Sequence, residues 1–234
     1  MFELFRGYYP ARPGESEEAI HDLLMSEILS LNGKQSIFQM IQFHDRVRER
    51  GGVCPTPEEL LHQYQSRLDG VIAQRMLDLR EGRAKPDDYV IYEARSLLDK
   101  LKQHGLCLII LSGTIQHRVE EEAELLGLAP YFGRHIYGST LDHSQFSKKM
   151  VIDRLLREEA ISGGHLLGLG DGPIEIQEVK AAGGIAIAVA TDEENNGSGK
   201  VDEWKRQQLL KAGADAVIAD YRNSDGLMNL IFGA

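Results

Sequence analysis

LLGLGDGPIEIQEVKAAGGIAIAVA, residues 166–190, decides the fold. A short apolar run through Leu169 leads into Gly170-Asp171-Gly172-Pro173. A mixed apolar and charged stretch follows to Ala181, the pair Gly183-Gly184 closes it, and Ile185 to Ala190 is again continuously apolar. Proline fits the first turn of a helix, where its missing N–H has no partner to lose, and glycine fits just past a helix end. The order is therefore strand, helix, strand. Neighbouring strands joined through a helix run parallel, because a parallel pair needs a crossover connection. Ligands on such sheets bind at the carboxyl ends of the strands, so Asp171 and Glu175, which follow one strand end, become candidates for a site.

Working outward, Leu106 to Leu111 reads as another strand covered on both faces, and Asp215 to Ala219 as a last one. Tyr89 to Gln103 carries Val90, Ala94, Leu97, Leu98 and Leu101 at helical spacing and stops at Gly105. Repeated strand and helix units predict an α/β domain built on a doubly wound parallel, Rossmann-like sheet over residues 85–234. Residues 1–84 have another texture. From Ser16 to Arg80 helical periodicity is nearly unbroken, with stops at Asn32-Gly33 and Gly51-Gly52 and a helix start at Thr56-Pro57-Glu58-Glu59, which predicts an all-helical module.

The chain has 234 residues and is 42% hydrophobic, enough for one or two packed units. With 36 Asp and Glu against 26 Lys and Arg, and no basic stripe, the balance argues against a nucleic-acid partner. Two cysteines, Cys54 and Cys107, suggest neither a disulfide framework nor a cysteine-rich zinc site, and point to a reducing, cytoplasmic setting. No run reaches the roughly 18 to 20 apolar residues of a membrane helix, and no export signal opens the chain, so no membrane partner is expected. The eight histidines, His143 among them, show no metal-binding spacing at helical periodicity. Asp192 to Gly199 reads as a solvated loop.

Three strand ends offer chemistry. Ser112-Gly113-Thr114 follows Leu111: a hydroxyl with a glycine that admits backbone N–H groups can hold a phosphate oxygen, although the same residues also make a plain turn and helix cap. Asp171 and Glu175 suit a hard divalent cation such as Mg2+, or alternatively complement a helix amino terminus. Lys148, with Lys149 beside it, opens a helix where an ammonium is unfavourable, which makes sense if it reaches an anion, and equally if it points into solvent.

Strand-Ser-Gly, a helix-opening lysine and Gly-Asp-x-x-x-acid, in this order, resemble the second, third and fourth motifs of the haloacid dehalogenase-like hydrolase superfamily. The resemblance spans residue 86 to the carboxyl terminus, and the helical module before it resembles that family's inserted cap. It implies that Ser112 and Gly113 bind the phosphoryl group and that Lys148 neutralises charge between nucleophile and phosphate. It also implies Mg2+ held by Asp171 and Glu175, and a small phosphate ester as substrate. Lys148 fits better than Lys149 by its spacing to Val151-Ile152. Arg6, Arg12 and Lys34 are weaker candidates for substrate contact from the cap. A flavodoxin-like receiver domain fits worse, because of the large helical insertion and the place of Asp171 along the chain.

The family's first motif, a strand ending in Asp-x-Asp-Gly whose first carboxylate attacks phosphorus, is absent: Asp87-Asp88 follows no strand and Asp220 is followed by Tyr221-Arg222. By the resemblance that strand lies mid-sheet, ahead of the cap. The expectation is either that about 20 residues are missing upstream, a strand of about five or six plus its loop, or that the member is degenerate. Both leave a slot beside the strands at Leu106 and His165, with each buried unpaired backbone group costing roughly 1–3 kcal/mol. These residues alone are then expected to be less stable and to show no turnover. The alternative function is a non-catalytic phosphate- or partner-binding module of the same fold.

Overall fold

The computed structural model describes residues 1–31, 34–140 and 146–233. Four helices come first: α1 (Phe2–Tyr8), α2 (Glu17–Ser30), α3 (Ser36–Glu49) and α4 (Pro57–Arg80). Ser16 caps α2 by accepting from the Ala19 N–H. Thr56 and Glu59 form the capping box that opens α4, as the Thr-Pro-Glu-Glu pattern predicts. The expected stop at Asn32-Gly33 lies outside the described residues. Leu4, Phe5, Leu24, Met40, Phe43 and Val47 form one core among these helices, with the Phe5 and Phe43 rings stacked 4.0 Å apart.

The next helix starts later than its periodicity predicts. After a 3₁₀ turn at Pro86–Tyr89, α5 spans Ala94–Gln103, because residues 90–92 are drawn into an extended pairing with a side chain. The Asn196 amide donates to Val90 O at 2.8 Å and accepts from the Tyr92 N–H at 3.0 Å. The stretch Asp192 to Gly199 is therefore no mere solvated loop; it anchors the entry to α5.

A second correction concerns the first strand. β1 spans Ile110–Ile115 and not residues 106–111, so Ser112-Gly113-Thr114 lies within the strand. Its pairing partner is β2 (Ile136–Ser139), which the periodicity missed, and the Ile110 N–H donates to His135 O at 2.9 Å. Among the described residues no strand pairs with residues 106–109; Cys107 and Leu106 are exposed, while Leu111 packs toward Ile152 and Ile176 and Leu108 toward Leu97 and Leu227, so the run is covered in part on both faces. Between β1 and β2 lie α6 (Gln116–Leu125) and α7 (Ala129–Phe132). The Gln116 amide serves β2 as a surrogate strand, accepting from Gly138 N–H at 2.5 Å and donating to Ile136 O at 2.8 Å.

The remainder follows the predicted alternation: α8 (Lys148–Glu158), β3 (Leu167–Gly170), α9 (Pro173–Ala181), β4 (Ile185–Val189), α10 (Glu203–Lys211), β5 (Ala216–Ile218) and α11 (Ser224–Phe232). His165, expected in the third strand, closes a 3₁₀ turn instead. The pairs among the described strands are parallel, and one isolated antiparallel bridge joins Thr191 to Val201. The order is β1-β2 in one sheet and β3-β4-β5 in another. Ala186 and Ala188 of β4 pack toward α8, α9 and α10, while Ile187 packs on the opposite face with Leu97, Leu101 and Leu227 of α5 and α11. Helices thus cover both faces, the doubly wound Rossmann-like arrangement. Residues Ala186 to Val189 are fully buried, whereas β1 and β3 are only half-buried, since each has a partner on one edge alone.

Close packing of α9 on β3 depends on Gly168, where a Cβ would stand 2.4 Å from Val179 Cγ2. Gly168→Ala is expected to lower stability by about 1–2 kcal/mol through overpacking. Urea denaturation at pH 7 measures it; an unchanged midpoint would show that Val179 moves aside freely.

Candidate active site

A cavity of about 700 Å³ opens where the ends of β1 and β3 face α3 and α4. Ser112, Gly113 and Thr114 line it from β1, Lys148 from α8, and Gly170, Asp171 and Glu175 from the β3–α9 junction. Every residue singled out at the three strand ends borders this one space, apart from Lys149. Lys149 is exposed and pairs with Asp153 on its own helix at 2.6 Å.

Local chemistry explains each position. Ser147 caps α8 by accepting from Met150 N–H at 3.1 Å, which leaves Lys148 as the first helical residue. The ammonium avoids the unfavourable helix end by reaching across to Glu175 Oε2 at 2.7 Å, with side chains only 9% and 18% exposed. Glu175 in turn accepts from the Gly172 N–H through Oε1 at 2.8 Å. This curl of Glu175 requires glycine at 170, because a Cβ there would lie 2.5 Å from Glu175 Cγ. Ser112 Oγ accepts from the Thr114 N–H at 3.1 Å, holding the hydroxyl at the cavity wall.

Asp171 is surrounded by protein mass, yet its side chain opens onto the cavity and keeps contact with solvent. Burial, and then the neighbouring Glu175 charge, raise its pKa above the ordinary carboxylate value, while Lys205 and Lys148 pull the other way. Tyr221, just past β5, is pushed up to about 12 by burial and by the Asp171 charge. Asp171 is therefore a carboxylate short of positive partners. The residues fit magnesium, which binds through one or two carboxylates and keeps water and substrate oxygens as its other ligands. Among the described residues no group of three His, Cys, Asp or Glu side chains is placed to hold a metal.

The far wall comes from residues that spacing alone did not single out. Gln35, Ser36 and Ile37 at the start of α3, and Tyr64, Gln65 and Leu68 on α4, face the strand ends. Their shared helix faces are visible as i, i+4 spacing, but which face looks at the cavity depends on how the helices dock. Gln35 Nε2 donates to Phe146 O at 3.2 Å, and Arg118 of α6, also at the cavity, is paired with Asp69 of α4. Of the weaker candidates, Lys34 borders the cavity; Arg6 is engaged by Glu17, and Arg12 lies off it. Asp220 is buried beneath Arg222, whose guanidinium holds its carboxyl below the usual range. Asp88 is spent capping the Lys85 N–H.

Comparison with known proteins follows from this geometry. Residues 15–183 match the haloacid dehalogenase-like hydrolase family. No curated protein sequence matches the chain. Among solved structures, a predicted phosphatase from Clostridium acetobutylicum superposes with a TM-score of 0.59 at 19% identity, covering 90% of each chain. A HAD family hydrolase from Deinococcus radiodurans R1, with bound phosphate and sodium, gives 0.58 at 15% identity over 88% of this chain and 81% of that one. A predicted phosphoglycolate phosphatase from Haemophilus somnus gives 0.57 at 11% identity, covering 89% and 82%. These likenesses describe the fold, and the family match describes descent: the chain belongs to the haloacid dehalogenase-like hydrolases.

Proposed function

We propose that the cavity serves magnesium-dependent hydrolysis of a small phosphorylated metabolite, with helices of residues 1–84 acting as a cap over an α/β core of residues 85–234. What carries this reading is the convergence of Ser112, Lys148, Asp171 and Glu175 on one space. The phosphatase names among structural neighbours support the same substrate class. Ser112 donates its hydroxyl to a phosphoryl oxygen beside the Gly113 backbone. Lys148, aimed by Glu175, balances charge that builds on the transferring group. Asp171 and Glu175 would hold magnesium, directly or through water, and the ion would supply positive charge to offset that of the phosphoryl group. Tyr64 and Gln65 on the cap side meet the leaving group and limit water. The proposed setting is cytoplasmic, in keeping with two free cysteines. Among the described residues no helix is long and apolar enough to cross a membrane.

These 234 residues contain no Asp-x-Asp-Gly, the motif that by the family resemblance carries the attacking carboxylate. Titration calorimetry is expected to show magnesium binding, phosphate binding that strengthens with magnesium, and no hydrolysis of p-nitrophenyl phosphate. Magnesium-dependent turnover at an ordinary rate, of about 1 s⁻¹ or more, would contradict the last point. Failure to bind either ion would remove the site itself. The same absent motif favours a second reading, a non-catalytic module that binds a phosphorylated ligand or a partner. Reading the in-frame codons ahead of Met1 separates the two: an apolar run ending in Asp-x-Asp-Gly supports the phosphatase, and its absence the binding module.

A further inference from the structure

Among the described residues three cations border the cavity: Lys34, Arg118 and Lys148. Lys148 is committed, since Glu175 holds it at 2.7 Å with little water around either side chain. Lys34 stands exposed ahead of α3, where its ammonium keeps its own hydration. Arg118 differs from both. It stands in the first turn of α6, which opens directly after β1, so it flanks the Ser112-Gly113 corner on the side where α4 approaches.

Its bonding is unlike that of the arginines that tie the fold together. Arg222 engages both oxygens of Asp220, a carboxylate only 2% exposed, and Gly197 O as well. Arg95 uses all three of its nitrogens, on Asp87 and on the carbonyls of Leu126 and Gly127. The Arg118 guanidinium makes one hydrogen bond among the described residues, from Nη1 to Asp69 Oδ1 on α4. Most of its N–H donors therefore have no protein acceptor there. The two side chains are 34% and 42% exposed, and a pair so open to water contributes little to stability. A carboxylate held through one oxygen is readily displaced by an anion that offers two.

We propose that Arg118 is a specificity-determining residue: it reads a second anionic group, a carboxylate or a further phosphoryl group, on the leaving portion of the ligand, and Asp69 is the resident anion which that group displaces. The inference rests on the reading of the cavity as a phosphate-ester site. With the phosphoryl group of the ester at Ser112 and Lys148, the far end of a ligand a few carbons long meets the wall where α6 approaches α4. A guanidinium there takes two oxygens side by side. Binding then exchanges one ion pair for another. Asp69 returns to the solvent it already touches, and the ligand gains a partner that a neutral alcohol lacks.

Three ligands with the same three-carbon skeleton test this: 3-hydroxypropyl phosphate, 3-phosphooxypropanoate and propane-1,3-diyl bisphosphate. Each is titrated calorimetrically into the 234-residue chain with magnesium at one ionic strength. The parent is expected to bind the two doubly anionic ligands about tenfold more tightly than the hydroxypropyl ester, the scale of a charge-assisted hydrogen bond. A gain for one of them alone supports the proposal and identifies the group that is read. Arg118→Gln is expected to bring all three affinities within about twofold of one another, and Asp69→Asn to widen the preference about threefold, because the competing carboxylate is gone. If Arg118→Gln does not fold, Arg118→Lys decides: it keeps the charge and loses the fork, and is expected to reduce the preference without abolishing it. A pair with a merely structural role would change the three affinities by a common factor in both variants and leave their ratios standing, which would overturn the proposal. So would a preference abolished by Lys34→Met. A parent that binds all three ligands equally overturns this inference alone, whereas a parent that binds none overturns the phosphate-site reading and this inference with it.

Discussion

Lys148→Met is expected to lower the unfolding free energy by about 3 kcal/mol, while Lys149→Met changes it by less than about 0.5 kcal/mol. Both residues carry the same charge in the same helical turn, and the difference lies in their surroundings. Lys148 and Glu175 are mostly withdrawn from water and meet at 2.7 Å. Removing the ammonium leaves a carboxylate with little solvent and one remaining donor, the Gly172 N–H. Lys149 and Asp153 are 60% and 48% exposed, so solvent already screens them and replaces either partner. Adding Glu175→Gln to Lys148→Met is expected to recover most of the loss, because the unpaired charge disappears. Urea denaturation of the two single variants and the double variant, analysed as a cycle, gives the coupling. Equal losses for the two lysines would show that Lys148 is as wet as its neighbour.

Asp171→Asn is expected to act in the opposite direction on the metal-free chain, raising its stability at pH 7. Burial and Glu175 raise the Asp171 pKa above its unfolded value of 3.8. The folded state then binds that proton more tightly than the unfolded state does. Its contribution to stability is complete below pH 3.8 and is lost as pH rises through the folded value. At pH 7 the ionised carboxylate is therefore a cost, which the neutral amide removes. The advantage of the variant should be larger at pH 7 than near the ordinary carboxylate range, which paired denaturation curves at several pH values measure. Magnesium reverses the ranking, since it stabilises the parent and not the variant. The affinity loss is expected to be at least about 10- to 100-fold, the scale seen even for outer-sphere changes. A variant that keeps magnesium-dependent stabilisation would remove Asp171 from the proposed metal site.

These two residues show how unevenly a site is written in a chain. Asp171 and Glu175 were legible because Gly-Asp-Gly-Pro marks a strand end and a helix start through local backbone preferences. Lys148 and Lys149 were separable only by spacing to Val151-Ile152; the docking of α8 against α9 is what turns one toward Glu175 and the other outward. Tyr64, Gln65 and Arg118 carried no local mark, since their exposure to the cavity depends on how α4 and α6 meet the strand ends.

By itself the sequence determined most of the longer helices, the parallel character of the sheet and the strand end that bears the carboxylates. Each of these rests on bonds between residues a few positions apart: the Thr56 capping box, Pro173 in a first turn, the strand-helix-strand order. Tertiary structure alone decided that β1 begins at Ile110, that residues 136–139 form a strand and that the strands among the described residues divide into two sheets. The physical reason is the strand's dependence on a neighbour. A helix closes its hydrogen bonds within itself, whereas a strand exists only as far as another backbone runs beside it.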